Sequence, residues 1–426
     1  MFTAEVLLVI AVAIGFYKAW NIGANDVANG MGTVVGAGTL TLRQAICLAA
    51  VFEFLGAFLV GGHVTETIKG GLVPVEPFMA DPYRFGVGML AVALSSAIWL
   101  NVATLMSRPV SVTHSTIGGI IGFAIICPLG GVNCVHWAEL GKIAVTWVAS
   151  PLVGGLGAFL VYKGVVRFVL RSDHPVVRAR AVVPLGFAAT LAIIFLSATY
   201  KGLPRLTIDL PLPQMFLLAL GVAVLVYIVA RLLIHRHLKK EITCPTERYE
   251  LVEQWFGRLQ VMTACYMSFS HGANDVASAI GPLAGSMQAF SGQGLQANST
   301  VSPWLMAFGG AGIVIGLATM GYKVILAVGK KITEITPTRG FSAEFATAST
   351  VLVCSKLGVP ISTTFVMVGA IMGVGFARSF GAIDMKVVRR IFTSWIFTIP
   401  VSAVLSATLY FVMMWIFGGS LTPTAP

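Results

Sequence analysis

An amide and a carboxylate stand side by side twice in this chain, in GANDVAN at 23–29 and in GANDVAS at 272–278, each time inside an apolar stretch. Asn25 and Asn274 each carry hydrogen-bond donors and an acceptor. Asp26 and Asp275 carry hard anionic oxygens suited to a small cation, so the four residues together are candidates for a sodium site. An ionised group in hydrocarbon is expensive and usually marks an ion or substrate path. Glu53 and Glu344, the other carboxylates within or beside apolar segments, are candidates for coupling or gating.

A second pair of motifs follows the first, RPVSVTHSTIGGIIG at 108–122 and VPISTTFVMVGAIMG at 359–373. Pro109 and Pro360 suit a helix's first turn, where a missing N–H costs nothing. Ser111, Thr113, Ser362, Thr363 and Thr364 place hydroxyls beside the unpaired N–H groups of that turn. Such a helix end is a ready anion site, and two facing ends would surround a tetrahedral oxyanion with donors. The plainer reading of either copy alone is an ordinary capped helix. His114 has Phe365 as its counterpart, so it reads as a structural or gating residue rather than a ligand.

The copies of the two motifs are offset by 249 and 251 residues, which marks an internal duplication. About twelve apolar segments run along the chain, roughly 4–20, 44–62, 85–106, 109–127, 137–161, 184–199, 211–234, 258–287, 303–328, 341–358, 361–377 and 391–417. Both motifs recur seven segments later, an odd number, so the copies would cross a membrane in opposite directions. Inverted repeats of this kind characterise many secondary transporters, with the site at the midplane where the repeats meet. The expected organisation is a first inverted repeat at 1–162, linking passes and basic cytoplasmic loops at 163–257, and a second repeat at 258–426. Gly23 and Gly272 would let the helix break at the motif, which is tolerated at membrane depth where the break lines a cavity. Close helix packing also explains those glycines, but it gives no reason for Asn-Asp.

Composition supports this frame. Charged residues make up 11% of the chain, against about 25% in soluble domains, so the chain reads as an all-α polytopic membrane protein. The net charge of +11 need not mean a nucleic-acid partner, and none is expected. With the N-terminus outside, 21 of the 28 Lys and Arg fall in inner connections, which places both termini outside a cytoplasmic (inner) membrane. On that layout Lys18 lies near a segment end. The six cysteines form no metal pattern, and no cofactor is expected. A homo-oligomer is left open.

These motifs closely resemble the inorganic phosphate transporter family, the sodium- or proton-coupled phosphate permeases. The resemblance extends through FEFLGAFLVGGHVTETI (52–68), LQVMTACYMSFSHGANDVASAIGPLAG (259–285) and PISTTFVMVGAIMG (360–373). It implies cation-coupled phosphate import by alternating access, with re-entrant hairpins beginning near the second motifs. Asn25, Asp26, Asn274 and Asp275 would form the ion and phosphate site, and the five hydroxyls would supply oxyanion donors. The chain departs from the family's P-V-S-T-T-H at Val112 and Phe365. It also lacks an acidic residue in its third segment, between Met89 and Ala97.

Two other functions compete. Sulfate or another oxyanion could use the same fold, but carboxylates near the site favour phosphate, which can donate a proton in a hydrogen bond. A lipid-phosphate phosphatase is suggested by SRPVSVTH at 107–114. That pattern requires an Asp where Gly118 stands and a Lys where Asn101 stands, which leaves His114 poorly activated as a nucleophile. Sodium is favoured as the coupling ion over the proton, although buried carboxylates can carry protons equally well.

Overall fold

The computed structural model describes residues 3–68, 72–129, 134–199, 210–237, 244–292, 294–295, 301–328, 335–379 and 385–417. Among these residues the fold is helical throughout. The first half contains α1 (Ala4–Gly36), α2 (Leu42–Val60), α3 (Gly62–Glu66), α4 (Pro82–Leu105), α5 (Val112–Ile126) and α6 (Trp137–Val165). Next come α7 (Pro175–Thr199) and α8 (Leu212–His237). The second half contains α9 (Pro245–Phe290), α10 (Pro303–Met320), α11 (Tyr322–Val328), α12 (Pro337–Lys356), α13 (Thr363–Arg378) and α14 (Met385–Ile416).

Eight of these helices are long and apolar enough to cross a membrane. α5 and α13, with 15 and 16 residues, reach about 23 Å at 1.5 Å per residue, less than a ~30 Å hydrocarbon core. α9 and α12 are long but carry buried polar side chains, including Asp275 and Glu344, that lower their hydropathy.

The GANDVA motifs do not break their helices. α1 runs unbroken through 23–29 and α9 through 272–278. Helix interruptions fall instead at Gly61, between α2 and α3, and at Gly321, between α10 and α11. The motif glycines serve close approach. A Cβ on Gly23 would overlap the backbone of Ile313 in α10, and one on Gly272 would overlap the backbone of Glu53 in α2. Gly316 meets Trp20 and Gly56 meets Phe269 in the same way. α1 therefore crosses α10, and α9 crosses α2, at backbone distance through small residues, as helices do in membranes. These two crossings carry the first motif of each half against a helix of the other half.

Each second motif sits at the turn of a helical hairpin, α4–α5 or α12–α13. Both turns place one residue in the left-handed region, Ser107 (φ 54°) and Gly358 (φ 71°), two positions before Pro109 and Pro360. Arg108, which the sequence assigns to an inner loop, belongs to the first of these turns, and its carbonyl accepts from buried Asn25 at 3.2 Å. The turn is therefore tied to α1 through its backbone, although Leu105, Met106 and Arg108 are themselves exposed.

Candidate functional site

α1 and α9 converge on a buried group of ionisable side chains. Asp26 from α1, His271 and Asp275 from α9, and Glu53 from α2 are all within 1% of full burial. The imidazole of His271 holds the centre. Its Nε2 lies 2.7 Å from Asp275 Oδ2 and 3.9 Å from Asp26 Oδ2, and its Nδ1 lies 3.2 Å from Glu53 Oε1. One ligand atom from each of Asp26, His271 and Asp275 lies within 4.8 Å of the others, a spacing able to hold a cation.

The two aspartates differ in their surroundings. Asp275 accepts from Asn274 Nδ2 at 2.6 Å and from Thr363 Oγ1 at 3.0 Å. Asp26 has no hydrogen-bond partner for either oxygen among the described residues. Buried polar atoms are nearly always paired, so Asp26 has coordinating capacity left over, as does Glu53, whose two oxygens also lack a hydrogen-bond partner among the described residues.

The two asparagines brace the hairpin turns. Asn25 donates to Thr104 Oγ1 at 2.9 Å and to the Arg108 carbonyl, and its Oδ1 accepts from the Val110 amide at 3.2 Å. Asn274 donates to the Ile361 carbonyl at 2.8 Å. Thr113 donates to that same carbonyl at 2.9 Å, which ties the first hairpin to the second. Ser111 and Ser362 are helix N-caps, accepting from the His114 and Phe365 amides at 3.1 and 3.3 Å. Ordinary capping thus accounts for their oxygens, while their hydroxyl protons stay available to an anion. Thr364 accepts from Asn29 at 2.9 Å.

Glu344 and His114 lie in separate groups. Glu344 accepts from Thr33, from Thr263 Oγ1 at 2.7 Å and from Gln260 Nε2 at 3.3 Å, fully buried between α1, α9 and α12. His114 is wedged edge-on between Trp147 and Phe365, at centroid distances of 4.5 and 4.3 Å.

Sequence reasoning missed several polar residues. His271 immediately precedes the second copy of the GANDVA motif, but its counterpart in the first copy is Ile22, so the repeat does not select it. An ionisable residue inside an apolar stretch was the available signal. In the sequence Lys18 stands near the end of the 4–20 apolar segment. Because α1 continues to Gly36, Lys18 is instead mid-helix and fully buried, donating to Thr116 Oγ1 at 2.7 Å. Lys18, Asn21, Asn25, Asn29 and Thr33 recur every three or four residues and form one polar stripe along α1. Each is paired with a side chain of another helix: Thr116, Asn101, Thr104, Thr364 or Glu344.

A family model described as the phosphate transporter family matches residues 22–406, which include every residue of this cluster. The chain belongs to that family. Its members are transporters, so the phosphatase reading falls. The chain is similar to the inorganic phosphate transporter 2-1, chloroplastic, of Arabidopsis thaliana, with 42% identity over 97% of this chain and 72% of that protein. It is also similar to a solved structure, the sodium-dependent phosphate transporter, with a TM-score of 0.90 and 38% identity, covering 96% of this chain and all of that one.

Proposed function

We propose that this chain imports inorganic phosphate across the cytoplasmic membrane by cation-coupled symport with alternating access, and that the two inverted repeats share one site. The observation that carries this reading is the convergence of both Asn-Asp motifs on His271 and Glu53, beside both hairpin turns. Asp26, whose oxygens have no hydrogen-bond partner among the described residues, holds the coupling cation together with Asp275. Ser111, Ser362 and Thr364, at two helix N-termini, supply hydroxyl donors to the anion, while Thr113 and Thr363, whose single hydroxyl protons go to the Ile361 carbonyl and to Asp275, brace the site. Asn25 and Asn274 act by fixing the turns that present those donors. Sodium is the favoured ion, because carboxylate oxygens suit a hard cation.

Proton coupling is the second reading, and His271 is the observation that favours it. An imidazole is a poor ligand for sodium but a ready proton carrier, and this one faces three carboxylates.

The test is uptake of labelled phosphate into proteoliposomes with a sodium gradient and a pH gradient imposed separately and sulfate as competitor. Sodium-stimulated uptake insensitive to excess sulfate is expected. Uptake driven by the pH gradient alone would transfer the coupling role to the proton, and strong sulfate inhibition would overturn the phosphate assignment.

A further inference from the structure

A groove of about 490 Å³ opens on the lateral face of the helix bundle, between α6, α13 and α14. That volume falls within the range of small-molecule sites, about 300–1,000 Å³. The groove wall is aliphatic and aromatic, with Leu152 and Leu156 on its rim more than 60% exposed. Its floor is shallow because α6 and α13 touch through small residues. A Cβ on Gly369 would overlap the Pro151 backbone, and one on Gly373 would overlap the Gly155 backbone. These paired steps of four residues also show that α6 and α13 run parallel.

The direction of the helices gives the groove two unlike ends. Its inner end is formed by Trp147 and Trp395. Trp147 packs against His114 at 4.5 Å, and Trp395 stacks on Phe365 at 3.4 Å, so the inner end backs directly onto the two hairpin motifs. The other end is reached at Phe159 and Phe376. There, α6 and α13 finish and α14 begins, and the exposed residues include the cations Lys163, Arg167, Arg378, Lys386 and Arg389. Lys163 Nζ lies 5.6 Å from the centre of the Phe159 ring, at the groove mouth itself. From Trp147 to Phe159 the groove runs about 18 Å along α6, close to the depth of one leaflet of a ~30 Å core.

We propose that this groove is a binding site for one anionic glycerophospholipid, with an acyl chain lying over the α6–α13 seam beside α14 and its phosphate at the basic mouth. An apolar trough one leaflet deep, ending in clustered cations, matches the two-part chemistry of that ligand and of no soluble anion. Its chain tip abuts the aromatic wall that holds His114 and Phe365, which connects the lipid to the turns of the candidate site. This inference rests on the groove and not on the choice of transported ion.

The experiment uses the purified full chain in vesicles containing phosphatidylglycerol or phosphatidylcholine with a photoactivatable group on the same acyl position, and adducts are mapped by mass spectrometry. Phosphatidylglycerol is expected to label the 147–159 and 368–376 segments in preference to phosphatidylcholine. Lys163→Gln and Arg389→Gln, both at exposed positions, are each expected to reduce that labelling about fivefold, while Lys163→Arg retains it. Leu152→Trp, which fills the groove from its exposed rim, is expected to abolish labelling there with either lipid. Equal labelling by the two lipids would overturn the proposal, as would undiminished labelling of Leu152→Trp. So would efficient disulfide crosslinking between two chains carrying Leu152→Cys, which would assign the groove to a second copy.

Discussion

The rings of His114 and Phe365 meet nearly perpendicular, with centroids 4.3 Å apart. The two residues hold the same position in the two hairpin motifs, so matching points of the repeats touch each other directly. Both ring nitrogens of His114 lack a hydrogen-bond partner among the described residues, which makes its contribution one of packing. His114→Phe should therefore keep both thermal stability and phosphate uptake. His114→Ala should lose at least about 0.5–1.5 kcal/mol, the scale of one aromatic pair. Thermal unfolding of the purified variants in detergent, alongside uptake, checks this. Loss of uptake in a stable His114→Phe would give the imidazole a chemical role.

The two hairpin turns differ in a testable way. Gly358 takes its left-handed conformation without strain, whereas Ser107 adopts the same conformation with a side chain. A left-handed residue bearing a Cβ costs roughly 1–2 kcal/mol. Ser107→Gly should raise the unfolding midpoint or leave it unchanged, and Gly358→Ala should lower it. A lower midpoint for Ser107→Gly would show that the hydroxyl contributes more than the strain costs.

Gly23 and Gly272 offer a sharper structural test. Each faces backbone, of Ile313 and of Glu53, and a Cβ at either position would force two helices apart. Overpacking of this kind costs about 1–3 kcal/mol. Gly23→Ala and Gly272→Ala should both destabilise the protein, and Gly272→Ala should also reduce uptake, because α2 carries Glu53 into the ionisable cluster. Gly141, with open space around its Cβ position, serves as control. Wild-type midpoints in both motif variants would contradict the tight crossings.

Glu344 accepts from three side chains on two helices. Glu344→Gln keeps the shape but puts an amide N–H where an acceptor stood, so Thr263 must turn its proton to the Gln260 carbonyl, 3.0 Å away, and the network must re-form at a cost of about 1–3 kcal/mol. Thr263→Val removes one donor and should cost less. The order of midpoints, wild type above Thr263→Val above Glu344→Gln, checks the network. The reverse order would show that the carboxylate is not held by these donors.

Much of this architecture was legible in the residues. The twelve apolar segments correspond to twelve helices of 15 or more residues among the described residues. Asp26, Asp275 and Glu53 meet because charge in an apolar stretch must be gathered somewhere. Three features were hidden. The apolar run at 4–20 understates α1, because Asn21, Asn25 and Asn29 interrupt it although their side chains are paired across helices. Glycine in the motif reads as flexibility in the sequence, whereas it serves a helix crossing that depends on a neighbour more than 200 residues away. His271 broke the repeat and so escaped a comparison built on symmetry.

Asp26, whose carboxylate has no hydrogen-bond partner among the described residues, is the proposed ligand of the coupling cation, and Asp26→Asn isolates that role because the change removes charge while keeping size. The deciding measurement is phosphate uptake by Asp26→Asn proteoliposomes across an imposed sodium gradient, on protein whose unfolding midpoint is shown to be intact. Uptake at background level, independent of sodium, is the predicted result. Full sodium-driven uptake by that variant would contradict the account.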